Sequence, residues 1–164
     1  MARFEKITKD NVSEFIAVIS SNSNKANFAY WTDMVNLKKS FAGGNDTLNT
    51  AWKATQDTVA EVIDDANYAS PHKRLNPSIW GYILAAKDCD QFALYRDFVL
   101  KKLLEVQSPH KMKGLSQGEK YQFLNDLAYY LGELMQAEKG DKGEYQYTAL
   151  NGQDFLWMTL GDDY

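Results

Sequence analysis

Apolar residues occupy almost the whole circumference of the helices that the spacing between Asn76 and Gln107 predicts, so this stretch must be buried on several sides. Asn76 and Pro77 form a typical helix start, because asparagine accepts a bond from a free backbone N–H and proline has no N–H to leave unsatisfied. The polar residues from Asp88 to Asp90 then predict a break and a second helix start. We therefore expect two consecutive helices at the centre of the fold.

The first third of the chain also has apolar residues at helical spacing. They predict a first helix that Thr8 or Asn11 caps, a second over about 25–41 and a third over about 46–66. Residues 3–7 fit a short strand or an extended lead-in. These elements would supply the neighbours that the central stretch needs.

A further helix is predicted after the centre of the chain. Ser116 and Glu119 have the spacing of a capping box, which predicts a helix start, and the pattern continues to about Glu138. We expect Asn125 on the polar face of this helix. The apolar face predicted for it consists of Phe123, Leu124, Leu127, Leu131, Leu134 and Met135.

The C-terminal residues change from helical spacing to short runs of strand-forming residues. Asn151-Gly152 is the strongest two-residue hairpin signal, so we predict a β-hairpin over about 144–160. The alternative is a short helix over 152–160 with Asn151 as its cap. In the hairpin, one face would hold Tyr145, Tyr147, Leu156 and Met158, and the opposite face Phe155 and Trp157.

These patterns predict a mainly α protein, a layered bundle of five to six helices with a small C-terminal β-hairpin. The 164 residues fit one domain over 1–164, with a helical part at about 8–139. A content of 45% hydrophobic residues is too high for a disordered chain. Without an N-terminal signal segment or a long apolar run, we expect a cytoplasmic protein that does not enter a membrane.

The motifs of common enzyme classes are absent from the sequence. There is no Gly-x-Ser-x-Gly elbow, no Walker A sequence and no Rossmann glycine fingerprint. The single cysteine, Cys89, excludes a zinc site made of several cysteines. His72 and His110 are far apart in the chain and lack the helical spacing of metal ligands. We therefore expect no cofactor, no metal and no catalytic residue of a recognised type.

Two linkers repeat the residues Ser-Pro-His-Lys, at 70–73 and at 108–111. If both reached the same end of the bundle, their charges would add and could bind phosphate or an acidic protein. The net charge of −4 argues against a general nucleic-acid binder. The candidate basic patch consists of His72, Lys73, Arg74, His110, Lys111 and Lys113.

Ten tyrosines and four tryptophans give the chain many of the side chains that dominate protein interfaces. The candidate partner-binding residues are Trp157, Phe155, Tyr145 and Tyr147. We interpret the chain as a non-enzymatic macromolecule-binding protein of the inhibitor, immunity or mobile-element accessory type, with another protein as its partner. The alternatives are a nucleic-acid-associated protein that uses the two basic linkers, or an enzyme with an unrecognised site.

Overall fold

The computed structural model of the protein describes five α-helices and the segments beside them. The described residues are 52–69, 75–107, 114–139 and 146–161, with the isolated positions 10, 11, 14, 17 and 35. The helices are α1 (Val59–Ala69), α2 (Pro77–Lys87), α3 (Asp97–Gln107), α4 (Gln117–Lys139) and α5 (Ala149–Leu160). Apart from the isolated positions, the elements predicted at 3–7, near 11–20 and at 25–41 lie outside the described residues. The mainly helical class is confirmed, with five helices in the described part where we predicted five to six for the chain.

The central pair of helices is confirmed, including the break between its members. Asn76 caps α2, because its side-chain oxygen accepts a hydrogen bond of 3.1 Å from the Ile79 N–H, and Pro77 is the first helical residue. Trp80 is fully buried in α2. The second helix, α3, begins later than the Asp88 break suggests, because residues 92–96 run between the two helices as a non-helical segment.

The helix predicted over 46–66 begins later and ends later than its pattern indicates. Residues 56–58 form a turn, and α1 starts only at Val59 and continues to Ala69. The backbone N–H of Thr55 donates to the Thr58 hydroxyl at 2.9 Å. A side chain that bonds to a nearby backbone group competes with the helical bond, which explains the late start.

The bounds of α4 are confirmed, and so is its capping box. The Ser116 N–H donates to the Glu119 carboxylate at 2.6 Å, and the Glu119 N–H donates to the Ser116 hydroxyl at 3.0 Å. The predicted apolar face is correct only in part. Leu124 is buried and Leu127 and Leu131 pack against the core, whereas Phe123 and Leu134 are exposed and Asn125 is only 1% exposed. The residues that α4 buries are Gly118, Tyr121, Leu124, Asn125, Ala128 and Gly132.

Glycines at the helix contacts let the backbone of α4 come close to the backbones of α1 and α5. A Cβ atom on Gly118 would lie 2.1 Å from the carbonyl oxygen of Ala60 in α1. A Cβ atom on Gly152 of α5 would lie 1.8 Å from the carbonyl oxygen of Ala128. The first half of α4 therefore packs on α1 and the second half on α5 through contacts between backbones.

The predicted C-terminal hairpin is wrong, since residues 149–160 form helix α5. The alternative helix has the correct type, but it begins three residues earlier than predicted and is not capped by Asn151. Asn151 lies in the first turn, where its side-chain oxygen accepts a hydrogen bond of 2.9 Å from the Thr148 N–H. Gly152 provides the close contact with Ala128. Asn151 therefore stabilises the start of α5, and Gly152 allows its close contact with α4.

None of the helices in the described ranges is both long enough and apolar enough to cross a membrane.

Candidate interaction surface on the C-terminal helix

The segment between α2 and α3 is held by polar side chains from α4. The Ala93 N–H donates to the Asn125 side-chain oxygen at 2.8 Å, and the Asn125 side-chain nitrogen donates to the Gln91 carbonyl at 3.1 Å. The Tyr121 hydroxyl donates to the Ala93 carbonyl at 2.9 Å. The segment is not part of a helix or a sheet, so its backbone groups need side-chain partners. These bonds provide such partners and thereby fix the path of the segment.

Helix α5 holds the same segment from the other side. The Leu94 N–H donates to the Gln153 side-chain oxygen at 3.1 Å, and the Ala149 N–H donates to the Asp90 carbonyl at 3.2 Å. Gln153 is buried on the face of α5 that packs into the protein. The segment and α5 are therefore positioned together.

Buried tyrosines next to this segment stay neutral over a wide pH range. Burial raises the pKa of Tyr121 well above its ordinary value. Burial also raises the pKa of Tyr95, and the neighbouring Asp97, which accepts a hydrogen bond from the Tyr95 hydroxyl, adds to this effect. Both phenols consequently keep the proton that they donate.

The last residue before α3 places a buried positive charge beside α5. Arg96 is 8% exposed, and its guanidinium carbon lies 4.3 Å from the centre of the Trp157 ring. Burial lowers the pKa of Arg96 to about 10, so the side chain remains charged at neutral pH. The Phe98 ring lies 6.1 Å from Trp157, measured between ring centres, at an angle of 59°. Trp157 therefore packs against Arg96 and Phe98 and is also partly exposed to solvent.

The outer side of α5 carries large apolar side chains. Phe155 is 47% exposed and Met158 is 75% exposed. At about 100° per residue, Met158 lies opposite the buried side of the helix, with Trp157 toward one edge and Phe155 toward the other. The hairpin pairing of Leu156 with Met158 on one face is thus also wrong. We name the set Phe98, Phe155, Trp157 and Met158 the α5 surface.

Tyr147 lies away from the α5 surface, just before the start of α5. Its N–H donates to the Gln136 side chain at 3.0 Å, and the Lys139 ammonium lies 5.1 Å from the centre of its ring. It lines a shallow depression together with Tyr129 and Glu133. Residues 147 and 157 are separated by most of the length of α5, so the structure does not bring these two predicted residues together. Tyr145 lies outside the described residues.

All six residues of the candidate basic patch lie outside the described residues, but the chain on the far side of each linker is described. The first linker ends at Leu75, whose N–H donates to the Asn67 side-chain oxygen at 3.0 Å. The second ends before Ser116, whose hydroxyl donates to Asp64. The Gly118 N–H donates to the same carboxylate at 2.9 Å. Side chains of one helix, α1, therefore form hydrogen bonds with the residues that follow each linker.

The described residues offer few groups for catalysis or metal binding. No group of three or more His, Cys, Asp or Glu that could hold a metal ion occurs among them. The thiol of Cys89 is partly exposed and contacts the Asp90 carboxylate at 3.9 Å. His72 and His110 lie outside the described part of the chain.

A comparison of the chain with protein-family models, curated proteins and solved structures finds no significant match. Support for a function therefore lies in the geometry of the α5 surface. Sequence reasoning named Phe155 and Trp157 and missed Met158 and Phe98 as members of this surface. Helical spacing over 149–160 is the signal that would have found Met158.

Proposed function

We propose that the protein is a non-enzymatic macromolecule-binding protein that binds another protein through the α5 surface. The observation that supports this most directly is the exposure of Met158 and Phe155 on the outer side of one helix, with the partly exposed Trp157 at its other edge. Methionine and aromatic side chains are enriched at protein interfaces, and a cluster of them is more informative than scattered exposed apolar residues. Such a protein would act by occupying its partner, as an inhibitor, an immunity protein or a mobile-element accessory protein does.

The structure also gives the α5 surface a fixed shape. The close contact at Gly152 sets the distance of α5 from α4, and Gln153 ties α5 to the segment before α3. A surface that is already ordered loses little conformational entropy on binding, which favours affinity.

We expect the double change Phe155→Asp and Met158→Asp to weaken partner binding without unfolding the protein. Each side chain is substantially exposed, so the effect on the free energy of unfolding should be within about 0.5 kcal/mol per site. Loss of one binding anchor typically costs about 2 kcal/mol, which corresponds to about 30-fold weaker binding. The measurement is the amount of partner recovered with the tagged protein from its native host.

The matched control is Tyr68→Asp, which also replaces an exposed aromatic side chain by a charge, but on α1. It should leave recovery of the partner unchanged. Trp157→Ala is a less specific test, because Trp157 covers the buried Arg96 and its loss also disturbs packing. Equal recovery with the wild type and the α5 double variant would contradict the proposal, as would recovery of the wild-type protein alone.

A second candidate function is binding of nucleic acid through the two basic linkers. Its support is that Asp64 and Asn67, about 4.5 Å apart along α1, hold the chain just beyond each linker. Helices α1 and α4 pack antiparallel, because Gly118 meets Ala60 while Ser116 meets Asp64 further along α1. The C-terminal end of α1, where the first linker begins, and the N-terminal end of α4, where the second ends, therefore lie on the same side of the pair.

For this second function we expect binding of DNA or RNA to weaken as salt concentration rises. Replacing Lys73, Arg74, Lys111 and Lys113 by glutamate should remove the binding, since four phosphate-neutralising charges are lost. Fluorescence anisotropy with a labelled oligonucleotide at several salt concentrations measures both effects. Replacing the exposed Lys53 by glutamate is the control, and binding that ignores salt or survives the four replacements would contradict this function.

A further inference from the structure

Helix α4 presents an apolar stripe on the side away from α1 and α5. Phe123 is 37% exposed, Tyr130 is 59% exposed and Leu134 is 43% exposed, with the half-buried Leu127 between them. The steps between these residues are four, three and four positions, which keeps them on one line along the helix. This spacing is the one by which two helices interlock their side chains. The stripe therefore has the pattern of a helix-binding surface.

One edge of the stripe is acidic, and the other has a mixed character. Glu119, Asp126 and Glu133 repeat every seven residues along the first edge, and all three are exposed. Asp57, which lies near enough to Asp126 to raise the pKa of that carboxyl together with the larger effect of burial, adds negative charge at the same edge. Leu131 and the exposed Glu138 lie on the other edge. A helix that covers the stripe would therefore meet three carboxylates along the first edge and one along the other.

We propose that the stripe Phe123, Leu127, Tyr130 and Leu134 binds an amphipathic helix of a partner protein that carries Lys or Arg along one edge of its apolar face. The apolar side chains of that helix would cover the stripe. Its basic side chains would pair with Glu119, Asp126 and Glu133, which would fix its register along α4. This surface lies on α4 and goes beyond the function proposed for the α5 surface.

A second copy of this chain fits the stripe poorly. In an antiparallel pair of α4 helices, the acidic edge of one copy would face the acidic edge of the other. In a parallel pair, Asp126 would face Leu131 of the other copy and Glu133 would face its Glu138. The net charge of −4 per chain adds to the repulsion between copies. A basic partner helix would place opposite charges beside these carboxylates, whereas a second copy of the chain would place like charges beside them.

The test measures binding of two synthetic helical peptides to the full chain by fluorescence anisotropy. Both peptides have three heptads with leucine at the core positions, and one carries lysine at the flanking positions where the other carries glutamate. We expect the lysine peptide to bind at least about tenfold more tightly than the glutamate peptide, because like charges oppose association at the acidic edge. Tyr130→Asp with Leu134→Asp should abolish binding of the lysine peptide.

Two further variants make the outcome decisive. Asp126→Lys with Glu133→Lys should reverse the preference, so that the glutamate peptide binds more tightly, and this reversal cannot result from unfolding. Phe155→Asp with Met158→Asp should bind the lysine peptide like the wild type, which separates this surface from the α5 surface. The proposal is overturned if the two peptides bind equally, or if neither binds because the rest of the chain or a second copy covers the stripe.

Discussion

Replacing Gly152 by alanine is expected to lower the free energy of unfolding by about 3 kcal/mol. The new Cβ atom would lie 1.8 Å from the carbonyl oxygen of Ala128 and 3.0 Å from the backbone nitrogen of Gly132. Both neighbours are backbone atoms, so no side-chain rotation can relieve the overlap and α5 must move away from α4. The sign of the effect is diagnostic, because alanine inside a helix without such a contact would stabilise it by about 1 kcal/mol.

Urea unfolding followed by circular dichroism measures this change. Gly114→Ala is the comparison, since no atom of the described residues beyond its chain neighbours lies within 4 Å of its added Cβ, and its positive φ of 115° opposes alanine. Its cost should stay at about 1 to 2 kcal/mol. A Gly152→Ala variant as stable as the wild type, or more stable, would rule out the close packing of α4 and α5.

Replacing Asn125 by leucine is the second change with a large expected effect, a loss of about 3 kcal/mol. Leucine branches at the same atom but is larger, and it can neither accept from the Ala93 N–H nor donate to the Gln91 carbonyl. The Ala93 N–H would then lose this partner next to a side chain that is 1% exposed in the wild type, while the Gln91 carbonyl would keep the 3.4 Å bond from the Gln56 side chain. Burial without a hydrogen bond costs about 1 to 3 kcal/mol for each group.

Denaturant unfolding together with amide hydrogen exchange distinguishes this effect from a general loss of packing. The Ala93 amide should exchange faster in Asn125→Leu than global unfolding explains. Glu138→Leu, which also replaces a polar side chain by leucine but at an exposed position of the same helix, should stay within about 0.5 kcal/mol of the wild type. A loss below about 1 kcal/mol in Asn125→Leu would show that these two bonds are not formed.

The sequence predicts helix bounds well where the start of a helix is encoded locally. Asn76 with Pro77 and Ser116 with Glu119 act within one turn, and the starts of α2 and α4 follow from them. The apolar pattern misses the start of α1, because the bond from the Thr55 N–H to the Thr58 hydroxyl interrupts a helix that the pattern alone would continue.

The sequence predicts poorly where backbone atoms or distant polar groups provide the contact. Gly152 has the sequence context of a turn residue, whereas its role depends on Ala128, which lies 24 positions earlier in the chain. Asn125 has the spacing of a solvent-facing residue, whereas its partners, Gln91 and Ala93, lie more than 30 positions away. Residue type alone identifies Phe155 and Trp157 as binding candidates. Their arrangement with Met158 requires knowledge of the helix.

The hydrogen bonds around the segment before α3 also impose an order on folding during biosynthesis. The Leu94 N–H and the Asp90 carbonyl receive their partners from Gln153 and Ala149, which are synthesised more than 50 residues later. Domains begin to organise from the N-terminal side as the chain leaves the ribosome. Helices α2 and α3 are thus translated before α5, yet the connection between them reaches its final form only when α5 emerges and docks.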